Sequence, residues 1–320
     1  MSSGERPALR LVPAPAAEPS APVHSAAPAQ NTAPVLGAVE LVPGRVRAAL
    51  LDLSGTVLWQ AEATYPHGTA DPGEIDAALA SAVRFPSPPA GVGIAAAGLV
   101  DAPAGVIIEV NEVPALHGYP VADVVTRLVG VPVHVEHRAR VQVLGDRWFG
   151  PGRGRTTFAS VSTGEVLGVG ILYDGEVLAP PGGRSGAHMT VAASGLPCTC
   201  GARGCWKTVA TTSWLRAEAE RRGLAARSVR ELAGDPLLDE YAGNIALGLV
   251  NIQQLFAPGL FILHGEASEG GEAFRARIEH RLREDSSWAT GSEPPQVLVN
   301  TGPADDIVLL GGAGLVLSRH

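Results

Sequence analysis

No stretch of this chain of 320 residues is both long and apolar enough to cross a bilayer; the longest runs, such as Val92 to Val100, are short and contain glycine. A charged start followed by an apolar core and a cleavage site is also missing at the N-terminus, which places the chain in the cytoplasm and away from membranes. Basic excess is lacking as well. The formal net charge is −8, whereas phosphate backbones require a positive field, so direct nucleic-acid binding is not expected. The first 34 residues contain no pair of short amphipathic helices around a turn, the pattern of a DNA-binding helix-turn-helix. They are rich in Ala, Pro and Ser and hold no aromatic residue, too little to offset the entropy of ordering. Residues 1–34 read as a disordered tail, with docking of a protein partner as the functional alternative.

Cysteine is nearly absent, and its placement is informative. All three cysteines lie in Cys198-Thr-Cys200-Gly-Ala-Arg-Gly-Cys205, and His188 stands ten residues before the first of them. Three thiolates and one imidazole complete a tetrahedral zinc shell without leaving an open catalytic position. Gly201 and Gly204 let the backbone turn tightly enough for the thiols to converge. Three reduced thiols, or one disulfide with a spare cysteine, is the alternative.

With 46% hydrophobic and 18% charged residues, the chain has enough apolar surface for two lobes. Val35 to Leu41 and Val46 to Leu53 read as a hairpin around Pro43-Gly44. Asp71-Pro-Gly-Glu opens a helix that continues through Val83, and Val92 to Ala96 is a buried strand. Leu128 to Val135 holds a helix end and a strand, and Ala139 to Phe149 is helical. Thr157 to Ser162 and Val166 to Tyr173 read as a second hairpin with Asp174-Gly175 as its turn. A long helix over Pro236 to Phe256, a strand at Leu260 to Leu263 and a helix around Glu272 to Arg283 follow. A strand near Val297 and a small-residue helix over Ile307 to Leu317 close the chain. Hairpin, helix and parallel strand thus occur twice, predicting two similar α/β lobes with a cleft between them.

The run Gly186-Ala-His188-Met-Thr-Val followed by Cys198-x-Cys200-Gly-x-x-Gly-Cys205 resembles the ROK family of sugar kinases and sugar-responsive repressors. Arg45 to Leu58, Ala96 to Asp101, Val131 to Asp146 and Asn251 to Pro258 resemble further family segments, in the family's order. The resemblance implies an α/β protein of the actin-like, hexokinase-like ATPase fold, with a zinc knuckle over 188–205. One lobe is expected over 35–134, completed by the C-terminal helix 306–320, and the other over 135–305. It also implies that His188 both ligates zinc and faces the sugar, that Asn111 contacts a hydroxyl, and that the protein forms a homodimer or larger oligomer.

Departures from the family pattern carry as much information. Where active family kinases have Glu-Asn-Asp-Ala, with the aspartate as base on the sugar hydroxyl, this chain reads Glu136-His137-Arg138-Ala139. Arg138 stays protonated and cannot accept that proton. His137 can titrate near neutrality, yet it sits one position early and faces the opposite side if the strand continues. The first phosphate loop, Asp-x-Gly-Gly-Thr in the family, is Glu40-Leu-Val-Pro43-Gly44 here, and proline removes a donor. The second loop keeps Thr163-Gly164 and Gly168-x-Gly170, but Glu165 puts a negative charge toward an incoming triphosphate. Leu263-His264-Gly265 replaces the family's Leu-Gly-Gly. Two sugar-contacting glutamates are replaced by Ser185 and Lys207.

Loss of this machinery beside an intact zinc motif implies a catalytically inactive member, a pseudokinase with no ATP or Mg requirement, acting as a sugar- or metabolite-responsive regulator or sensor. A divergent enzyme is the first alternative. In it His137, Arg138, Glu165 and Lys207 form a new constellation for an anion such as a sugar phosphate or carboxylate. The second alternative is an oligomeric scaffold subunit.

Overall fold

The computed structural model describes residues 33–180, 185–226, 228–288, 293–300, 302 and 304–319, and the chain from Thr32 onward forms one compact unit. All but the last two residues of the tail expected over 1–34 therefore lie outside the described residues.

The chain builds one sheet design twice. The first half contains β1 (Leu36–Val42), β2 (Arg45–Leu51), β3 (Val57–Thr64), α1 (Pro72–Ala82) and β4 (Val92–Ala96). A small hairpin of β5 (Leu99–Asp101) and β6 (Val106–Glu109) follows, then α2 (Val121–Val129) and β7 (Val133–His137). After α3 (Arg138–Phe149) come β8 (Phe158–Thr163), β9 (Gly168–Tyr173), β10 (Glu176–Val177), α4 (Thr212–Arg221) and α5 (Pro236–Phe256). They are followed by β11 (Leu260–Gly265), α6 (Gly271–Asp285), β12 (Gln296–Val299) and α7 (Ala304–Leu317). The strand orders are β3-β2-β1-β4-β7 and β10-β9-β8-β11-β12. Each sheet is an antiparallel three-strand meander extended by two parallel strands. The parallel additions require crossovers, which is why helices intervene before β4, β7, β11 and β12.

Helix starts follow local chemistry. The Asp71 side chain accepts from the Gly73 N–H at 2.8 Å ahead of Pro72, and Asp235 accepts from the Leu237 N–H at 2.8 Å ahead of Pro236. One face of the first sheet packs on Ile75 and Leu79 of α1 and Val121 and Val125 of α2. The opposite face receives α7, which lies on β1 and β4 and along α3. Its composition is a packing requirement. A Cβ on Gly93 would lie 2.0 Å from the Gly312 carbonyl oxygen, and one on Gly311 would lie 2.1 Å from that of Val141, so backbone meets backbone there. Trp206, Tyr241, Phe261 and Phe274 anchor the core of the second half.

The structure corrects several expectations. Asp174-Gly175 joins β9 to β10, whereas β8 and β9 are joined by residues 164–167, because the ladder pairs Ser162 with Gly168. The boundary drawn at 134/135 falls inside β7, whose His137 still pairs with Ala96; the chain leaves the first sheet only through α3. Strand β3 escaped notice because it is a sheet edge whose residues are all exposed or half-buried, leaving little apolar run to read.

Candidate functional site

The loop from His188 to Cys205 brings four soft donors together. His188 Nδ1 is 3.5 Å from Cys198 Sγ, Cys200 Sγ is 3.7 Å from Cys205 Sγ, and all four ligand atoms lie within 4.8 Å of one another. Zn–S bonds near 2.3 Å and Zn–N bonds near 2.0–2.1 Å, at tetrahedral angles, give edges of about 3.8 Å between sulfurs and about 3.6 Å between sulfur and nitrogen. The donor set therefore fits a closed structural zinc. Such separations exclude a disulfide, and all three cysteines are free thiols. Burial first, then hydrogen bonding with Cys198 and Cys200, pushes the Cys205 thiol up to about 12, so it would ligate a cation only by surrendering its proton. The loop turns at Gly204, whose φ is +68° and whose added Cβ would fall 1.7 Å from the Ala192 carbonyl oxygen. Directly after Cys205, fully buried Trp206 donates from Nε1 to the Asn244 carbonyl at 2.8 Å and pins the knuckle to α5.

Beside the knuckle is a cavity of about 320 Å³ lined by Asn111, His137, Ser185, His188 and Lys207, all five of them sequence candidates. Glu109 and Glu112 line it too. They were not anticipated, although two carboxylates flanking Asn111 in a short loop were a readable signal. Pro43 from the β1–β2 turn lines the same cavity, and Gly44 completes that turn with φ +80°. Gly168 approaches from β9, close enough that a Cβ there would touch Ala139 and Ser185.

Arg138 is not in this cavity, which corrects the expectation that it joins Lys207 around a shared anion. Its Nε donates to Glu40 Oε1 at 2.7 Å. Glu40 is fully buried, and Arg45 and Arg47 each approach its Oε2 to 3.5 Å. Arg45 further faces Glu62 at 4.0 Å and Arg47 faces Asp306 at 3.7 Å, so three guanidiniums meet three carboxylates. Arg138 borders a second cavity of about 170 Å³ with Thr163, Gly164, Glu165, Gly265 and Glu266. The Thr163 hydroxyl there is already spent, donating to the His264 carbonyl at 2.6 Å and accepting from the Ala267 N–H at 2.9 Å. The Glu165 carboxylate is paired with Arg216 and accepts from the Ser213 hydroxyl, so its repulsion toward an anion is weaker than its charge alone implies. The His264 imidazole is 1% exposed and bonds through Nε2 to fully buried Asp146 at 2.7 Å.

His137 ends β7 and caps α3: its Nδ1 accepts from the Ala139 N–H at 3.2 Å. Burial first, then the charges of Arg140 and Arg138, pushes its pKa down to about 4. The ring is neutral at pH 7 and its remaining nitrogen carries the proton, an arrangement that donates rather than abstracts. The unfolded chain takes up a proton near pH 6.5 that the folded ring resists until about 4, so stability falls as pH drops across that window, by up to roughly 3 kcal/mol. His137→Asn keeps the cap. Denaturant unfolding at pH 7, 5.5 and 4.5 is expected to show a flatter profile for the variant; parallel profiles would contradict the assignment.

Two mixed α/β sheets of identical strand order, with cavities at the ends of their strands, define the actin-like, hexokinase-like ATPase fold. The chain belongs to the ROK family, whose profile matches residues 36–318. It is 27% identical over 220 residues to the glucokinase of Thermotoga maritima, covering 60% of this chain and 68% of that one. It is 27% identical over 243 residues to the xylose repressor of Bacillus spizizenii, covering 70% of this chain and 62% of the repressor. The chain thus spans less than two thirds of that repressor. A solved ROK glucokinase of Streptomyces griseus, in complex with glucose and AMPPNP, superposes with a TM-score of 0.73 at 28% identity, over 88% of this chain and 98% of that one.

Proposed function

We propose that this protein is a ROK-family regulator or sensor whose cleft binds a sugar-like metabolite and which no longer transfers phosphoryl groups, with a structural zinc held by His188, Cys198, Cys200 and Cys205. The observation that carries this reading is the ion pair between Glu40 and Arg138. By resemblance these positions belong to the carboxylate near the metal and to the catalytic base. Magnesium is held by carboxylates together with substrate phosphates. Here the carboxylate is buried against a guanidinium, so a divalent cation would have to displace it. Pro43 offers no N–H to a phosphate, and the Glu266 carboxylate borders the second cavity. ATP with magnesium does not fit this arrangement. Kinship with both glucokinases and xylose repressors supports a ligand of sugar size, and a cavity near 320 Å³ suits a monosaccharide.

The test is a thermal-shift panel of sugars, sugar phosphates and magnesium ATP on zinc-loaded protein, with a coupled assay for ATP turnover. A ligand that binds only the native state raises the melting temperature by mass action. A shift with a sugar or its phosphate, none with magnesium ATP and no turnover is the expected result. Sugar-dependent turnover of about 1–100 per second would overturn the reading. Silence across the panel would favour a protein-binding scaffold.

A further inference from the structure

We infer that the cleft selects a zwitterionic sugar, one that carries a protonated amine and an anionic group such as a phosphate or carboxylate; this rests on the reading of the cleft as a sugar-sized ligand site. Unspent charge in the cavity sets the character of its ligand. Among the described residues, Glu109 and Glu112 make no ion pair or side-chain hydrogen bond, and neither does Lys207, yet all three line the same cavity. The other charges nearby are already used: Glu165 is paired with Arg216, and Arg138 with Glu40. His137 contributes no charge at pH 7, since its pKa lies near 4. What remains is two carboxylates and one ammonium.

These charges come from different halves of the chain and line one cavity. Glu109 ends β6 and Glu112 follows two residues beyond Val110, both from the first half of the chain. Lys207 lies in the short helical turn Trp206–Thr208, directly after the zinc knuckle in the second half. Its position is set from beneath, because the Lys207 backbone N–H donates to the Ala187 carbonyl at 2.9 Å and Trp206 is fully buried. A neutral hexose can hydrogen-bond all three groups but leaves their charge uncompensated, and a simple anion would answer Lys207 while opposing the two carboxylates. A ligand with an amine toward Glu109 and Glu112 and an anion toward Lys207 complements both signs of charge in the cavity.

Four ligands separate the contributions: glucose, glucosamine, glucose 6-phosphate and glucosamine 6-phosphate, with the quartet repeated in the galacto and manno series, measured by calorimetry at pH 7 and two salt concentrations. Glucosamine 6-phosphate, or its counterpart in one series, is expected to bind at least tenfold more tightly than either singly charged analogue, and to weaken with salt. The double substitution Glu109→Gln with Glu112→Gln should cancel the advantage of the amine and leave that of the phosphate; Lys207→Met should do the reverse. Lys207 is the only lysine in the chain. Reductive methylation with ¹³C-formaldehyde therefore gives one side-chain methyl signal, which should move with phosphorylated ligands and stay in place with glucosamine. Equal affinity for all four members of a series would overturn the inference while leaving the sugar-sensor reading intact. Absence of binding by every member, with zinc content and folding unchanged, would overturn both.

Discussion

Glu40→Gln is expected to destabilise the fold by about 3–5 kcal/mol, the usual cost of leaving buried charges without their partner. Glu40 is the fully buried centre of a cluster that contains Arg138, Arg45 and Arg47, and the amide would hold none of them by charge. Arg138→Met should cost less, because Arg45 and Arg47 remain 3.5 Å from the carboxylate. The informative quantity is the double variant. If the two residues form one ion pair, the losses are less than additive, with a coupling of about 1–3 kcal/mol in denaturant unfolding. Additive losses would show that Glu40 and Arg138 act independently, and would remove the main support for a closed phosphate-transfer site.

Cys200→Ser is expected to release zinc. A metal present at about a thousand times its dissociation constant adds about 4 kcal/mol to stability by mass action, which for a chain of this size corresponds to a fall of about 6 °C in melting temperature. The loss should reach the cleft, since His188 both belongs to the donor cluster and lines the cavity. Sugar binding in the variant should weaken even though Cys200 itself does not line that cavity. Metal content and melting temperature equal to those of the parent protein would refute the assignment. Adding zinc to metal-free parent protein should also release protons, because the Cys205 thiol is held protonated to about pH 12 until a cation takes its place.

Much of the fold was legible in the chain because its signals are local. Asp71-Pro72 and Asp235-Pro236 announce α1 and α5 through caps that act within two residues. Val92–Ala96 is buried at every position and reads as a continuous apolar run. Edge strand β3 has no such run, and the β8–β9 loop was misplaced because Asp174-Gly175 is the stronger turn signal, although the chain uses it one strand later. At the site, the knuckle was legible for the same local reason: its four donors fall within eighteen residues, with turn glycines between them. His137 was only half legible. Its pKa near 4 depends on burial and on Arg140 and Arg138 around it, which its sequence position does not reveal.

The sequence by itself determined the ROK family, the doubled α/β pattern and the candidate zinc donors, since motif spacing and periodicity are properties of neighbouring residues. Tertiary structure alone decided what the altered residues do. Glu40 and Arg138 are 98 residues apart and meet at 2.7 Å, which turns two unrelated departures into one neutralising pair. Glu109 and Glu112 come to line one cavity with Lys207, about a hundred residues later in the chain, because the fold brings β6 and the turn after the knuckle together. The physical reason is that charge interactions depend on distance and burial, and the fold sets both for residues that the chain keeps far apart.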